Sequence, residues 1–359
     1  MRLLVDVAHP ANVHYFKYFI QIMKDKGHET HVTAREKDVT FDLLKAYKIP
    51  YYDMGDGTIG SGILGKILYV LWADVLMYKQ FKLFKPDVAV SFSSSYVAHI
   101  CSCFKIPHIT FEDTEHAKAN RTLYKSWTDL IITPASFYDS LGYRHMRMKS
   151  FMELFYLHKN HFSPKPQMLE KYKININKPF VLFRFVSWDA FHDIGEKGID
   201  ESDRMRLIEI AKNYGDIYIS SESPLPEQLK KYRLNIDFHE IHHILAFAKL
   251  YVGEGGTMAS ECAMLGIPSI YINSLPLMGY LENAQKEGLL YHLNKTESIL
   301  AKMKTILKNP DSKKRFKNYR DNMLANLIDP NAFLIWLVEN YPNSRALLSE
   351  NPNYQNKFR

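Results

Sequence analysis

Gly253-Glu254-Gly255-Gly256-Thr257-Met258-Ala259-Ser260-Glu261, running on to Gly266-Ile267-Pro268, is the stretch whose reading decides the fold. The short apolar run Leu250-Tyr251-Val252 precedes it and reads as a buried strand. Ala259–Leu265 reads as a short helix with Thr257 in the N-cap position; Gly266 stops it and Pro268 follows. Ser269–Asn273 is then the next buried strand. Glycines at a strand-to-helix turn let an anionic group approach the backbone, and the free N–H groups of the helix start attract it. Glu261, one turn inside that helix, would repel a phosphate but accept hydrogen bonds from sugar hydroxyls. A nucleotide diphosphate suits both halves. A purely structural alternative stands beside it: Gly-Gly serves any tight turn, and Glu261 also favours the positive end of a helix.

Around this unit the chain has 359 residues, enough for two domains with buried cores. Hydrophobic residues make up 46% and charged residues 24%, ordinary values for a globular protein. Forty-six Lys and Arg against 39 Asp and Glu leave a net charge of +7, which suits an anionic substrate or an anionic membrane surface. Cys101, Cys103 and Cys262 form no disulfide framework and no zinc spacing, which points to a reducing, cytoplasmic compartment. Met1–Asp6 reads as a strand and lacks the layout of a signal peptide.

Strands and helices alternate from the start. Leu3–Ala8 is a first strand, His9-Pro10-Ala11-Asn12 a loop, and Val13–Lys26 a helix. Strands follow at Glu29–Ala34, Ile49–Asp53, Asp87–Phe92, Pro107–Phe111 and Leu130–Thr133. This rhythm means a parallel sheet covered on both faces, and ligands then collect beyond the C-terminal strand ends. The rule gathers His9, Asn12, His14, Glu112, Asp113, Glu115 and His116 on one rim. Gly55-Asp56-Gly57-Thr58-Ile59-Gly60 spells GxGxxG but follows no buried first strand, so it reads as a flexible loop. Ile63–Lys85 is a long helix, but its apolar region, Ile63–Leu83, is broken by Lys66, Asp74 and Lys79, so it does not span a bilayer. It reads either as a core helix with a solvated edge or as a basic, aromatic surface resting on a membrane's inner face through Tyr69, Trp72, Tyr78 and Phe81.

Composition divides the chain into an N-terminal Rossmann-like domain over 1–162 and a Pro- and Lys-rich linker over 163–178. A second Rossmann-like domain covers 179–328, a C-terminal helix packing back on the first domain covers 329–341, and 342–359 is a mobile tail.

Five motifs carry a resemblance: Val5-Asp6-Val7-Ala8-His9-Pro10-Ala11, Thr33-Ala34-Arg35-Glu36-Lys37-Asp38, Phe111-Glu112-Asp113-Thr114-Glu115-His116, Arg184-Phe185-Val186-Ser187-Trp188 and Glu254-Gly255-Gly256-Thr257-Met258-Ala259. Together they resemble a prokaryotic GT-B-like family designated only as a domain of unknown function, over roughly residues 1–340. More broadly the chain is similar to the N-acetylglucosaminyltransferase that completes the lipid-linked peptidoglycan precursor, and to non-hydrolysing UDP-N-acetylglucosamine 2-epimerases. The fold so implied is α/β and GT-B-like, with two Rossmann-like parallel-sheet domains facing across a cleft.

By position, the resemblance implies a place near the donor phosphates and the acceptor for His14 and acceptor-facing places for Glu112 and Asp113, and the catalytic base that takes the acceptor's proton is expected to be Glu112, Asp113 or His14. The resemblance implies a nucleobase contact for Glu240 and Ile241, diphosphate contacts for Gly255, Gly256 and Thr257, and a ribose contact for Glu261. Arg184 and Ser187 would face the donor phosphates, and His9, Asn12, Glu115 and His116 the acceptor. The transferase's glycine-rich first loop is replaced by His9-Pro10-Ala11-Asn12, and the epimerases' Arg and Glu at that loop are missing. The expected function is metal-independent transfer of a sugar from a nucleotide-diphosphate sugar, UDP-linked, to a glycan or lipid-linked acceptor in cell-surface polysaccharide synthesis. The sugar nucleotide is a substrate and no cofactor is called for. The alternatives are a sugar-nucleotide epimerase or hydrolase of the same fold, and a non-catalytic nucleotide-binding protein. Dispersed lysines without a recognition motif exclude a nucleic-acid binder.

Overall fold

A parallel strand covered on both faces needs a near-continuous apolar run, and Leu3, Leu4, Val5 and Val7, all buried, supply one that only the buried Asp6 interrupts. The computed structural model describes residues 1–57, 62–186, 199–221 and 224–359. The chain forms two compact units, Met1–His161 with Leu327–Arg359, and Phe162–Asn326.

Unit 1 begins β1 (Arg2–Val7), α1 (Pro10–Asp25), β2 (Glu29–Ala34), α2 (Thr40–Ala46), β3 (Tyr52–Asp53) and α3 (Gly62–Phe84). It continues β4 (Val88–Phe92), α4 (Ser95–Phe104), β5 (His108–Phe111), α5 (Lys118–Tyr124), β6 (Leu130–Pro134), β7 (His145–Met148) and α6 (Leu154–Leu157). Unit 2 runs α7 (Gln167–Lys171), β8 (Phe180–Phe185), α8 (Glu201–Lys212), β9 (Asp216–Ser221), α9 (Glu227–Lys230) and α10 (Ile241–Leu245). Then come β10 (Leu250–Gly253), α11 (Gly256–Leu265), β11 (Ser269–Ile272), α12 (Gly279–Lys286), β12 (Leu290–Leu293), α13 (Thr296–Lys308) and α14 (Ser312–Leu324). The returning chain adds α15 (Pro330–Glu339), α16 (Asn343–Glu350) and a 3-10 segment, Pro352–Phe358.

Both sheets are parallel. The first has seven strands in the order β3-β2-β1-β4-β5-β6-β7, the second five in the order β12-β11-β10-β8-β9. The direction of winding reverses between β1 and β4 in one sheet and between β8 and β10 in the other. Ligands of open α/β sheets bind beyond the strand ends at such reversals. Register sets the neighbours there: Asp6 beside Thr33, Phe92 beside Phe111, and Gly253 beside Arg184.

Four expectations change. The loop expected at His9–Asn12 is already helix, because Pro10 at the first helical position has the φ a helix start needs and His9 Nδ1 accepts the Ala11 amide at 3.2 Å. Residues 163–178, expected as a linker, contain α7 and belong to unit 2, held there by Lys171 to Asp237 at 2.9 Å and to Glu240 at 2.6 Å. The tail expected beyond 342 is folded: α16 and the 3-10 segment pack on α15, where Trp336, Tyr354 and Phe358 cluster. Gln355 fixes it by donating to the Arg147 carbonyl and accepting from the Lys149 amide. Finally, α3 buries Tyr69, Ala73, Met77 and Phe81 at helical spacing, so two of its four expected interface aromatics, Tyr69 and Phe81, are core. Leu68, Leu71, Trp72, Val75 and Tyr78 face outward. Among the described residues no helix is long and apolar enough to cross a membrane.

Candidate functional site

In unit 2 the glycine turn lies at the β8/β10 reversal. Gly253 is the glycine that close packing demands, since a Cβ there would meet Tyr251 Oη at 2.6 Å and Arg184 Cβ at 2.7 Å. Gly255 and Gly256 have room for a Cβ in ordinary contact; their smallness leaves the helix start uncovered. The N-cap is Gly255, not the expected Thr257, and it has no side chain to cap the first amides. Thr257 is exposed, so the open end of α11 faces solvent rather than the core. Arg184 reaches from β8 to Ser220 Oγ at 2.7 Å, within the same strand-end layer. Tyr251 Oη donates to the Gly255 carbonyl at 3.1 Å and holds the turn from beneath.

Glu254 is the residue of this unit whose role sequence reasoning missed. Its carboxylate is buried and accepts the amides of Val186 at 3.1 Å and Ile199 at 2.8 Å, with the Arg204 guanidinium at 3.4 Å. It thereby ties the end of β8 and the approach to α8 to the glycine turn. Ser187 and Trp188 lie outside the described residues, as do Thr58, Ile59 and Gly60 of the 55–60 loop. Glu261 is buried and pairs with His242 of α10 at 2.9 Å. Glu240 is held by Lys171 and Tyr172, and Ile241 is half-buried at the start of α10.

In unit 1 the loop after β5 is organised by Glu112. Its Oε1 accepts the amides of Asp113 at 3.0 Å and Thr114 at 2.9 Å; its Oε2 accepts the hydroxyls of Tyr124 at 2.7 Å and Ser93 at 3.1 Å. Ser93 comes within reach because it adopts a left-handed φ of 51° at the β4–α4 turn. With four donors and 1% exposure, Glu112 is built to hold the loop. Asp113 differs. It is partly exposed, accepts from Thr114 Oγ1 at 2.8 Å, and lies 3.4 Å from the Tyr15 hydroxyl. Burial of the carboxyl first, and the Glu112 charge second, push its pKa up to about 7. A carboxyl poised there can take a proton near neutral pH.

His14 is buried on α1. Its Nδ1 lies 3.3 Å from Tyr47 Oη, and its ring packs against Tyr156 at 5.2 Å. Tyr156 also packs against Tyr15 at 6.0 Å, so an aromatic layer connects the histidine to the carboxylate. Lys17 Nζ sits 4.4 Å from the Tyr47 ring centre and adds a cation. Tyr15, Lys17, Ser93, Tyr124 and Tyr156 carried no sequence signal, since a single aromatic, serine or lysine outside a motif reads as ordinary core or surface. Asn12 is buried and accepts the Ala8 amide, shaping the turn after β1. Glu115 is buried, and its carbonyl accepts from Arg121; His116 is exposed on the same loop. In this unit the structure gathers Glu112, Asp113, Glu115 and His116 on one loop, and places His9, Asn12 and His14 on and before α1.

Comparison with known proteins agrees with this architecture. The chain is 23% identical over 309 residues to the uncharacterized protein MJ0665 of Methanocaldococcus jannaschii, covering 82% of this chain and 89% of that protein. UDP-GlcNAc 2-epimerase from Neisseria meningitidis, solved with UDP-GlcNAc, superposes with a TM-score of 0.68 at 13% identity, covering 95% of this chain and all (100%) of that one. The spinosyn rhamnosyltransferase SpnG, solved with thymidine diphosphate, superposes with a TM-score of 0.62 at 13% identity over 95% of this chain and 100% of its own. The fold is thus the two-domain α/β fold shared by GT-B glycosyltransferases and these epimerases. The family described as protein of unknown function DUF354 matches residues 1–330, and the chain belongs to it.

Proposed function

We propose that this protein binds a pyrimidine nucleotide-diphosphate sugar through unit 2 and transfers the sugar to a hydroxyl of a glycan or lipid-linked acceptor in cell-surface polysaccharide synthesis. The observation that carries this is the uncapped, solvent-facing start of α11 at the β8/β10 reversal, with Arg184 in the neighbouring strand. Backbone amides and the helix dipole favour a diphosphate there, and they strengthen their hold as negative charge builds on it during bond breaking. The UDP-GlcNAc and thymidine diphosphate in the similar structures support a pyrimidine diphosphate as the ligand class.

In unit 1, Asp113 takes the proton of the acceptor hydroxyl. The acceptor oxygen forms a bond to the anomeric carbon, the bond from that carbon to the diphosphate oxygen breaks, and the nucleoside diphosphate leaves with the electron pair. Glu112 acts as a positioning residue by holding the Asp113 amide, and His14 with Tyr47 shapes the acceptor side. His242 orients the Glu261 carboxylate, which we assign to the ribose hydroxyls, while the start of α10 at Glu240 and Ile241 lies along the base. Ser187, His9, Asn12, Glu115 and His116 complete the assignment as donor- and acceptor-side contacts.

The test is nucleotide release. With UDP-GlcNAc and a panel of glycan and lipid-linked acceptors, release should stay at background until an acceptor is added. Release or epimerised product without any acceptor would replace the transferase with a hydrolase or epimerase. Tight binding with no turnover across the panel would leave a nucleotide-binding protein.

The outward face of α3 fits an anionic bilayer surface, which suits a lipid-linked acceptor. Beside the exposed Leu68, Leu71, Trp72, Val75 and Tyr78, the exposed Leu123 and Trp127 of the α5 region are linked to α3 through His99 of α4, which contacts Asp74, the Leu123 carbonyl and the Trp127 ring. Lys79, Lys82 and Lys85 flank the stripe's end. Replacing Leu71 and Val75 by Glu removes two apolar groups worth about 1.5–3 kcal/mol each when buried, so co-sedimentation with anionic vesicles should fall more than roughly tenfold. Unchanged sedimentation, or sedimentation indifferent to anionic lipid, would remove this surface from the account.

A further inference from the structure

Among the described residues, one group of His, Cys, Asp and Glu side chains brings three ligand atoms within 4.8 Å of one another: His158, His161 and Asp329. They lie where the chain leaves unit 1 and where it returns, since unit 1 consists of Met1–His161 and Leu327–Arg359. His158 and His161 are turned to one side by a tight turn in which the His161 amide donates to the His158 carbonyl at 2.9 Å. Asp329 is the N-cap of α15, 168 residues away from His161. No sequence spacing announces such a set, because its carboxylate is supplied from the far end of the chain.

We propose that His158 Nδ1, His161 Nε2 and Asp329 Oδ2 bind a divalent transition metal of the zinc class. A tetrahedron with bonds of about 2.1 Å has edges of about 3.4 Å. Asp329 Oδ2 lies 2.9 Å from His161 Nε2 and 3.6 Å from His158 Nδ1, so these two edges are each within about half an ångström of that geometry, and all three ligand atoms lie within 4.8 Å of one another. The polar contacts leave capacity for the ion. Asp329 Oδ1 accepts the amides of Asn331 at 2.9 Å and Ala332 at 3.3 Å, with His161 Nε2 at 3.1 Å; Oδ2 accepts Asn160 Nδ2 at 2.9 Å and faces His161. A carboxylate has about four lone-pair directions. Three are taken by these N–H groups, and the ion would replace the His161 proton on the fourth. The Asn160 amide points at His158 Nδ1 from 3.3 Å, a long contact that the ion displaces.

The rest of the surroundings hold the ligands still. His161 stacks on Tyr18 at 5.3 Å, and Asn331 donates to the Phe155 carbonyl at 2.7 Å, joining α15 to α6. Asp329 and His158 are buried, while His161 keeps a partial path to solvent. Two imidazoles and one carboxylate suit zinc, whereas magnesium prefers oxygen ligands throughout. The fourth position goes to water. A metal here staples the departing strand of chain to the returning one, independently of nucleotide binding.

The experiment is a zinc titration of the untagged, chelator-treated full-length protein, read by calorimetry and thermal unfolding, with cobalt substitution as a spectroscopic probe. One zinc per chain should bind at about a micromolar or tighter and raise the unfolding temperature by about 5 °C at hundred-fold excess over the dissociation constant. Cobalt should give the intense visible bands of four-coordination, and magnesium should have no effect. His158→Ala and His161→Ala should each abolish the site. Asp329→Asn retains an N-cap and folding, but should weaken zinc at least tenfold. No saturable zinc, or zinc bound equally by His158→Ala, would leave only a hydrogen-bonded cap and overturn the proposal.

Discussion

Asp113→Asn is expected to lower kcat by roughly 10²–10⁴-fold, the usual contribution of a positioned base, with the KM for the nucleotide sugar little changed. The same substitution should make the protein more stable above neutral pH. In the folded chain this carboxyl keeps its proton up to about 7 instead of the ordinary 3.8, because burial and the Glu112 charge oppose ionisation. The stability linked to that retained proton is complete below about pH 4 and is lost as pH rises through 7. Asparagine mimics the protonated form and does not titrate. Its advantage should therefore be absent near pH 4 and grow to about 2 kcal/mol at pH 8, after allowance for partial exposure. Activity of the wild-type chain should rise with pH and level off above about 7. Chemical unfolding at both pH values and a pH–rate profile check this together. A variant that keeps full turnover, or that is destabilised at pH 8, would remove Asp113 from the base role.

Thr257→Glu is the second large effect. Thr257 is exposed in the first turn of α11, where a negative side chain is favourable to the helix by about 0.3–1 kcal/mol. The new carboxylate would occupy the positive end that the diphosphate requires and repel it. UDP affinity is expected to fall at least about 100-fold, about 2.7 kcal/mol, while the unfolding temperature holds or rises slightly. That opposition separates a lost ligand site from a damaged fold. Unchanged UDP affinity would mean that the nucleotide binds away from this helix.

The alternating strands were legible because buried parallel strands such as those at Leu3–Val5 and Leu250–Val252 read as short apolar runs, whatever they pack against. The glycine turn was legible for the same local reason, although the sterically required glycine is Gly253 rather than Gly255 or Gly256. What escaped depends on distant partners. Gln355 is buried because it pairs with the backbone at Arg147 and Lys149, some 200 positions earlier, so its polar surroundings read as a tail. α14 escaped because its described burial rests on Ser312, Phe316 and Met323 alone, too sparse a stripe to give a helical period. β7 escaped as an edge strand, His145–Met148, with only Met148 buried.

The candidate site divides in the same way. Glu112 and Asp113 are adjacent in sequence and looked interchangeable, yet one carries four hydrogen bonds and the other is left near neutrality. Only the fold separates them, by bringing Ser93 and Tyr124 to Glu112 alone. Two of the family-like motifs also meet in space: Thr33 donates to Asp6 at 2.7 Å, and Arg35 donates to the Ala8 carbonyl at 3.2 Å. Their spelling marked them as a set, and the β1–β2 register supplies the reason.

The central claim is that a nucleoside diphosphate docks on the backbone amides that open α11. A crystal structure of the protein soaked with UDP tests it most directly. The account predicts diphosphate oxygens within hydrogen-bond distance of the Gly256 and Thr257 amides. UDP bound at another place, with those amides still facing solvent at saturating nucleotide, would contradict it.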